Sequence, residues 1–117
     1  MKDKKEVEML AAEFESCQKI LTALGDEVRQ HLILQMIQHG TDCNGMRVPE
    51  ITNLTHLSRP AVSHHLQILK DAGIVKVRKE GTMNYYYFAS DNAIEQLIET
   101  LTHANKIIHS LPDRNGE

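Results

Sequence analysis

The segment from Pro49 to Phe88 constrains the fold more tightly than any other stretch of the chain. Pro49–Leu54 reads as a short helix with Pro49 in its first turn, where the missing N–H costs little. His56-Leu57-Ser58 leaves room only for a tight connection. Ser58 is a good cap for an amphipathic helix over 59–72, which Gly73 ends. Two runs rich in β-branched and aromatic residues follow, Ile74-Val75-Lys76-Val77-Arg78-Lys79 and Asn84-Tyr85-Tyr86-Tyr87-Phe88, separated by Glu80-Gly81-Thr82-Met83. This spacing predicts a β-hairpin. Ile51, Leu54, Leu57, Val62, Leu66 and Leu69 are placed to pack the two helices together.

A short helix, a turn and a second helix form a helix-turn-helix. A hairpin rich in basic residues directly after it makes a winged helix-turn-helix. The flanks are helical by their periodicity. Over residues 5–24, Val7, Leu10, Phe14, Cys17, Leu21 and Leu24 recur at alternating steps of 3 and 4, a heptad seam on one helix. Gly25 can end that helix, and Asp26 can cap a next one running to about His39 with Val28, Leu32, Ile33, Met36 and Ile37 on one face. Residues 40–47 read as a loop, and Asp91 as the start of a last helix over 91–111. On it Ile94, Leu97, Leu101, Ala104, Ile108 and Leu111 repeat the seam, and the tail 112–117 is expected to fray. The expected fold is mainly α with a small β-hairpin, in the order α-α-α-α-β-β-α. It forms a single domain over 1–117, with 49–72 as the helix-turn-helix, 74–88 as the wing, and 5–24 and 91–111 as dimerisation helices.

Composition enters through charge. The chain of 117 residues has a formal charge of −3, which as a whole-chain figure leans weakly against nucleic acid. Between residues 47 and 79, however, Arg47, Arg59, Lys70, Lys76, Arg78 and Lys79 face only Glu50 and Asp71, so this segment carries +4 and the remainder −7. The positive charge falls on the motif that would meet phosphates. At about 100° per residue, Gln67, Arg59 and Lys70 all fall within about 40° of Ser63, whereas Val62, Leu66 and Leu69 lie about 60° to 120° round to one side. Arg can bond guanine bidentately and Gln can do the same for adenine. Direct readout is therefore expected from Arg59, Ser63, His64 and Gln67, and phosphate or minor-groove contact from Lys70, Lys76, Arg78, Lys79 and Asn84. An amphipathic helix shows such a split even when its polar stripe is only solvated, and a winged helix can also serve protein–protein contacts without an operator. The clustering of bases on helix and wing disfavours both alternatives.

Other classes find little support. No glycine-rich phosphate loop, nucleophile elbow or paired metal-binding histidine is present, so neither an enzyme nor a cofactor is expected. Two distant cysteines do not make a secreted disulfide framework. The charged start lacks an apolar signal core, and no apolar run approaches the roughly 20 residues needed to span a bilayer, so a cytoplasmic location without membrane contact is expected.

The run Leu57-Ser58-Arg59-Pro60-Ala61-Val62-Ser63-His64-His65-Leu66-Gln67-Ile68-Leu69-Lys70-Asp71-Ala72-Gly73-Ile74-Val75 resembles the recognition-helix signature of the ArsR/SmtB family of bacterial repressors. Val77-Arg78-Lys79-Glu80-Gly81 and Tyr85-Tyr86-Tyr87-Phe88 resemble its wing, and Leu24-Gly25-Asp26-Glu27-Val28-Arg29 the start of its second helix. The resemblance covers about residues 17–89. It implies a homodimer joined through first and last helices, bound to a palindromic operator and commonly repressing its own operon. Leu10, Phe14, Leu21, Leu97, Leu101 and Ile108 are the expected interface. Many members release DNA on binding a metal ion. Their Cys-x-Cys pair, aligned on Ser58, corresponds here to Arg47 and Pro49. Their last-helix ligands correspond to Ser90, Asn92, His103 and Lys106, of which only His103 could bind metal, so no metal site is expected. A buried, inert thiol suits Cys17 on its seam, whereas Cys43 in a polar loop is the better candidate for redox or effector chemistry. The sequence names no inducer.

Overall fold

A computed structural model describes residues 3–40 and 45–112. Among these the order is α1 (Lys4–Ser16), α2 (Gln18–Leu24), α3 (Glu27–His39), α4 (Val48–Thr55), α5 (Arg59–Asp71), β1 (Lys76–Glu80), β2 (Met83–Tyr87) and α6 (Ile94–Ser110). The expected caps are in place. Asp26 accepts from the Arg29 N–H at 3.0 Å and Ser58 from the Ala61 N–H at 3.3 Å. Gly73 leaves α5 at φ +79°, a backbone region that favours glycine.

The core lies where α3, α4 and α5 meet. Leu32, Met36, Ile51, Val62, Leu66 and Leu69 are buried there, with Ile74 and Val75. The last two correct the hairpin boundary. After Gly73 the chain folds under α5, where the Ile74 N–H donates to the Leu69 carbonyl at 2.9 Å, and β1 begins only at Lys76. The loop reading also changes near its end. Met46 is buried and exchanges both backbone hydrogen bonds with Tyr86 at 2.8 Å, adding a bridge beside β2.

Three helical expectations need correction. The single helix over 5–24 is two, broken at Cys17. That residue is fully buried, with its thiol 3.4 Å from the Thr100 hydroxyl of α6. The break turns Ile20 and Ala23 into the core and leaves α1 with no buried residue. On α3 the buried stripe is Arg29, Leu32, Ile33 and Met36, so Val28 and Ile37 lie to either side of it, exposed. The last helix starts at Ile94. Asn92, not Asp91, holds its entrance, accepting from the Ile94 N–H at 2.9 Å and donating to the Ala89 carbonyl at 2.8 Å. Asp91 turns instead to Lys76.

The α6 seam also divides. Leu97, Thr100, Ala104 and Ile107 are buried, whereas Ile98, Leu101 and Ile108 are exposed. The two rows are rotated by roughly 100° about the helix axis. The inner row faces the chain's own α1 and α2. Gln96 donates to Ser16 at 2.9 Å, and His103 lies between Glu13 at 2.7 Å and Glu6 at 3.3 Å.

Candidate nucleic-acid interface

Burial of Val62, Leu66 and Leu69 fixes the rotation of α5 about its axis. Arg59, Ser63, His64, Gln67 and Lys70 are thereby all exposed. The start of α5 meets the wing tip in one groove, where Arg59 and Ser63 stand with Thr82 and Asn84. Arg47, just before α4, lines the same groove. It counts toward the basic segment but is not among the residues the sequence singles out. Its only signal was its place before Pro49, and the groove depends on the wing folding back toward α4.

The hairpin register sorts the wing bases by face. Lys79 pairs with Asn84, Arg78 with Tyr85 and Lys76 with Tyr87. Directly paired residues share a sheet face, and neighbours along a strand alternate. Lys79 therefore shares its face with Asn84, which lines the groove, while Lys76 and Arg78 lie on the other face. Internal partners also distinguish them. Lys76 pairs with Asp91 at 3.2 Å, and this hydrogen bond is the main cause holding the Asp91 carboxyl below its ordinary range. Arg78 pairs with Glu80 and lies over the Tyr85 ring, 4.5 Å from its centroid. On α5, Gln67 donates to Asp71 at 2.9 Å, so its amide must leave that carboxylate to meet a base.

His65 points away from this surface. Its Nδ1 lies 3.3 Å from Arg29 Nη1, and burial first, then Arg29 and His64, push its pKa below the ordinary histidine value while Asp26 pulls the other way.

Away from α5 in sequence, Phe14, Ile98, Leu101, Ala104 and Ile108 line an apolar groove on α1 and α6. Of the expected interface residues, Phe14, Leu101 and Ile108 lie here. Leu97 is buried in the chain's own core, Leu21 packs against that core, and Leu10 is half-buried. Ile98 belongs to the groove but fell outside the heptad pattern. His103 sits beside α1, its pKa raised chiefly by the hydrogen bond to Glu13 and further by Glu6. Among the described residues, no group of three or more His, Cys, Asp or Glu could hold a metal ion. Cys43 and residues 113–117 lie outside the described residues. Among the described residues, no helix is long and apolar enough to cross a membrane.

A helix-turn-helix with a basic wing, the first residues of its polar stripe sharing one groove with the wing tip, is the architecture of a DNA-binding regulator of transcription. Comparison with known proteins narrows the class. Residues 30–77 match the model of the bacterial regulatory protein, arsR family. An uncharacterized HTH-type transcriptional regulator of Methanocaldococcus jannaschii is 40% identical over 82 residues, covering 70% of this chain and 88% of that protein. A Staphylococcus aureus protein named as a cadmium resistance transcriptional regulatory protein homolog is 36% identical, over 69% of this chain and 63% of its own length. The solution structure of a homodimeric winged helix-turn-helix domain from Mycobacterium bovis superposes with a TM-score of 0.60 at 24% identity, covering 93% of each chain. The chain belongs to the ArsR family of transcriptional regulators.

Proposed function

We propose that this regulator is a cytoplasmic homodimeric repressor that binds a palindromic operator and controls its own or a neighbouring operon. The observation that best supports this reading is the single groove holding Arg59 and Ser63 of α5, Thr82 and Asn84 of the wing, and Arg47 before α4. A base-reading helix and a minor-groove or phosphate-reaching wing approach one duplex together. Arg59, Ser63, His64 and Gln67 read bases; Arg47, Lys70, Lys79 and Asn84 hold the backbone, with Lys76 and Arg78 on the outer wing face. The apolar groove on α1 and α6 joins two copies through Phe14, Ile98, Leu101 and Ile108. Two α5 helices then present to half-sites about 34 Å apart. The whole chain forms this one winged-helix unit, and Cys43 is the proposed place for any thiol-based effector.

Selection of bound duplexes from a random pool tests the reading. The expected product is an inverted repeat. A chain that enriches no motif would instead be a protein-binding winged helix. Adding metals, oxidants and persulfides to the recovered complex then tests for release, and release that survives Cys43→Ser would remove Cys43 as the effector residue.

A further inference from the structure

Among the described residues, Arg29 is the charged side chain buried in the protein, 7% exposed. Its guanidinium is divided among three elements. Nε donates to the Ala23 carbonyl at 2.8 Å and Nη2 to the Thr22 carbonyl at 3.1 Å, both at the end of α2. Nη1 reaches His65 Nδ1 on α5 at 3.3 Å, and Asp26 Oδ2 stands 3.8 Å away. Carbonyls at a helix C-terminus favour a cation, and although the Thr22 carbonyl also accepts from the Gly25 N–H at 3.3 Å, the two bonds lock the arginine in place. The third carries that fixed point onto α5. His65 directly follows His64 on α5, and Ser63 and Gln67 each lie two positions from it.

A guanidinium has donors only, so His65 Nδ1 must accept and its proton must sit on Nε2. A second proton on the ring would turn N–H against N–H and imidazolium against guanidinium. The charged groups acting on His65 are Asp26 and Arg29 from α3 and its cap, and His64 from its own helix; none from α2 or α4 acts on it.

We propose that Arg29 and His65 are a positioning pair for operator recognition: Arg29 ties the recognition helix to the end of α2, and the tie holds only while His65 is neutral. This rests on α5 being the DNA-reading helix. The effect of acid is then opposite to the ordinary one. Protonating a histidine near phosphate strengthens DNA binding, whereas protonating His65 loosens the helix that reads the bases. The depressed His65 pKa gives the sign. The tie is intact above the ordinary value of about 6.5 and is lost as pH falls through the lower value in the folded protein.

The test uses the full chain at fixed salt, titrating the selected operator and a scrambled duplex between about pH 7.5 and about pH 5. Arg29→Lys keeps the charge but not the planar fork, and should lower operator affinity about tenfold while leaving scrambled-duplex affinity in place. His65→Asn keeps an acceptor where Nδ1 stood and takes up no proton. Relative to this variant, the parent should lose operator affinity by up to about tenfold per pH unit below the His65 pKa. Coincident pH profiles for parent and His65→Asn, or an unchanged operator-to-scrambled ratio in Arg29→Lys, would overturn the pair. Arg59→Ala serves as the reference. If it lowers the ratio while Arg29→Lys does not, the pair fails alone. If it too leaves the ratio unchanged, Arg59 meets only phosphate and its assignment as a base reader fails as well.

Discussion

The half of the molecule built from Arg47, α4, α5 and the hairpin holds six bases against three acids, Glu50, Asp71 and Glu80, and buries the apolar side of its helices. The α1–α6 pair is arranged the other way. Glu6, Glu8, Glu13 and Glu15 outnumber Lys4 and Lys5 on α1, Glu95 and Glu99 outnumber Lys106 on α6, and Ile98, Leu101 and Ile108 are exposed. The contrast separates two kinds of recognition. A polyanion is met by charge and hydrogen-bonding groups that stay in water until contact, whereas a second copy is met by apolar area removed from water. The acidic excess on α1 and α6 is unfavourable for a polyanion on those helices.

The strongest way to break this division is Leu101→Glu, which places a charge in the apolar groove. The expected result is a monomer by sedimentation, with operator affinity lower by about 10² to 10⁴ because two half-sites are no longer held by one molecule. A variant that stays dimeric would move the interface elsewhere. Next in size is Arg59→Ala, expected to cost about 1–3 kcal/mol and to relax one operator position. Binding-site selection reads it directly, and an unchanged motif would show that Arg59 meets only phosphate.

A finer comparison lies within the wing. Lys79→Ala should weaken binding to every duplex and reduce the salt slope by about one. Lys76→Ala should change the slope less, because Lys76 already pairs with Asp91. Equal slopes would mean that contact with DNA displaces Asp91 and that the internal pair does not matter. In the acidic half the sharpening experiment is a pH series. His103 has its pKa raised by Glu13 and Glu6, so its contribution to holding α6 on α1 is complete below the ordinary value of about 6.5 and is lost as pH rises through the raised value. The parent should therefore lose thermal stability relative to His103→Gln across that window. Parallel Tm curves would show that the two carboxylates do not recognise the charged ring. The smallest effect concerns the turn of the helix-turn-helix, where His56 adopts φ +60°. His56→Gly should raise stability by about 1 kcal/mol in denaturant titration, since glycine enters that region without the Cβ clash.

The two halves were unequally legible. Ser58, Gly73 and the turn residues Gly81 and Thr82 act on their own neighbours, so cap, helix end and hairpin could be read from short windows. That Arg59, Ser63, Gln67 and Lys70 stay exposed together followed from α5 periodicity alone. Nothing local marked the break at Cys17, whose thiol packs against Thr100, 83 residues away. Nor could a heptad pattern reveal which apolar row of α6 the chain covers for itself. Leu97 went inward and Leu101 outward because α1 and α2 dock along the row that carries Thr100 and Ala104. Arg47 was missed for a related reason, since it joins Arg59 only when the wing tip closes their groove. His103 was legible as a histidine on α6, but its partners Glu13 and Glu6 lie 90 and 97 residues away.

The most direct test of the division between a DNA-reading half and a self-associating half is a hydroxyl-radical footprint on the selected operator. Two protected patches on one face of the duplex, centred about 10 base pairs apart or a multiple of that, are predicted for the full chain, and one weak patch for Leu101→Glu. A single patch for the full chain, or uniform protection along the duplex, would contradict the account.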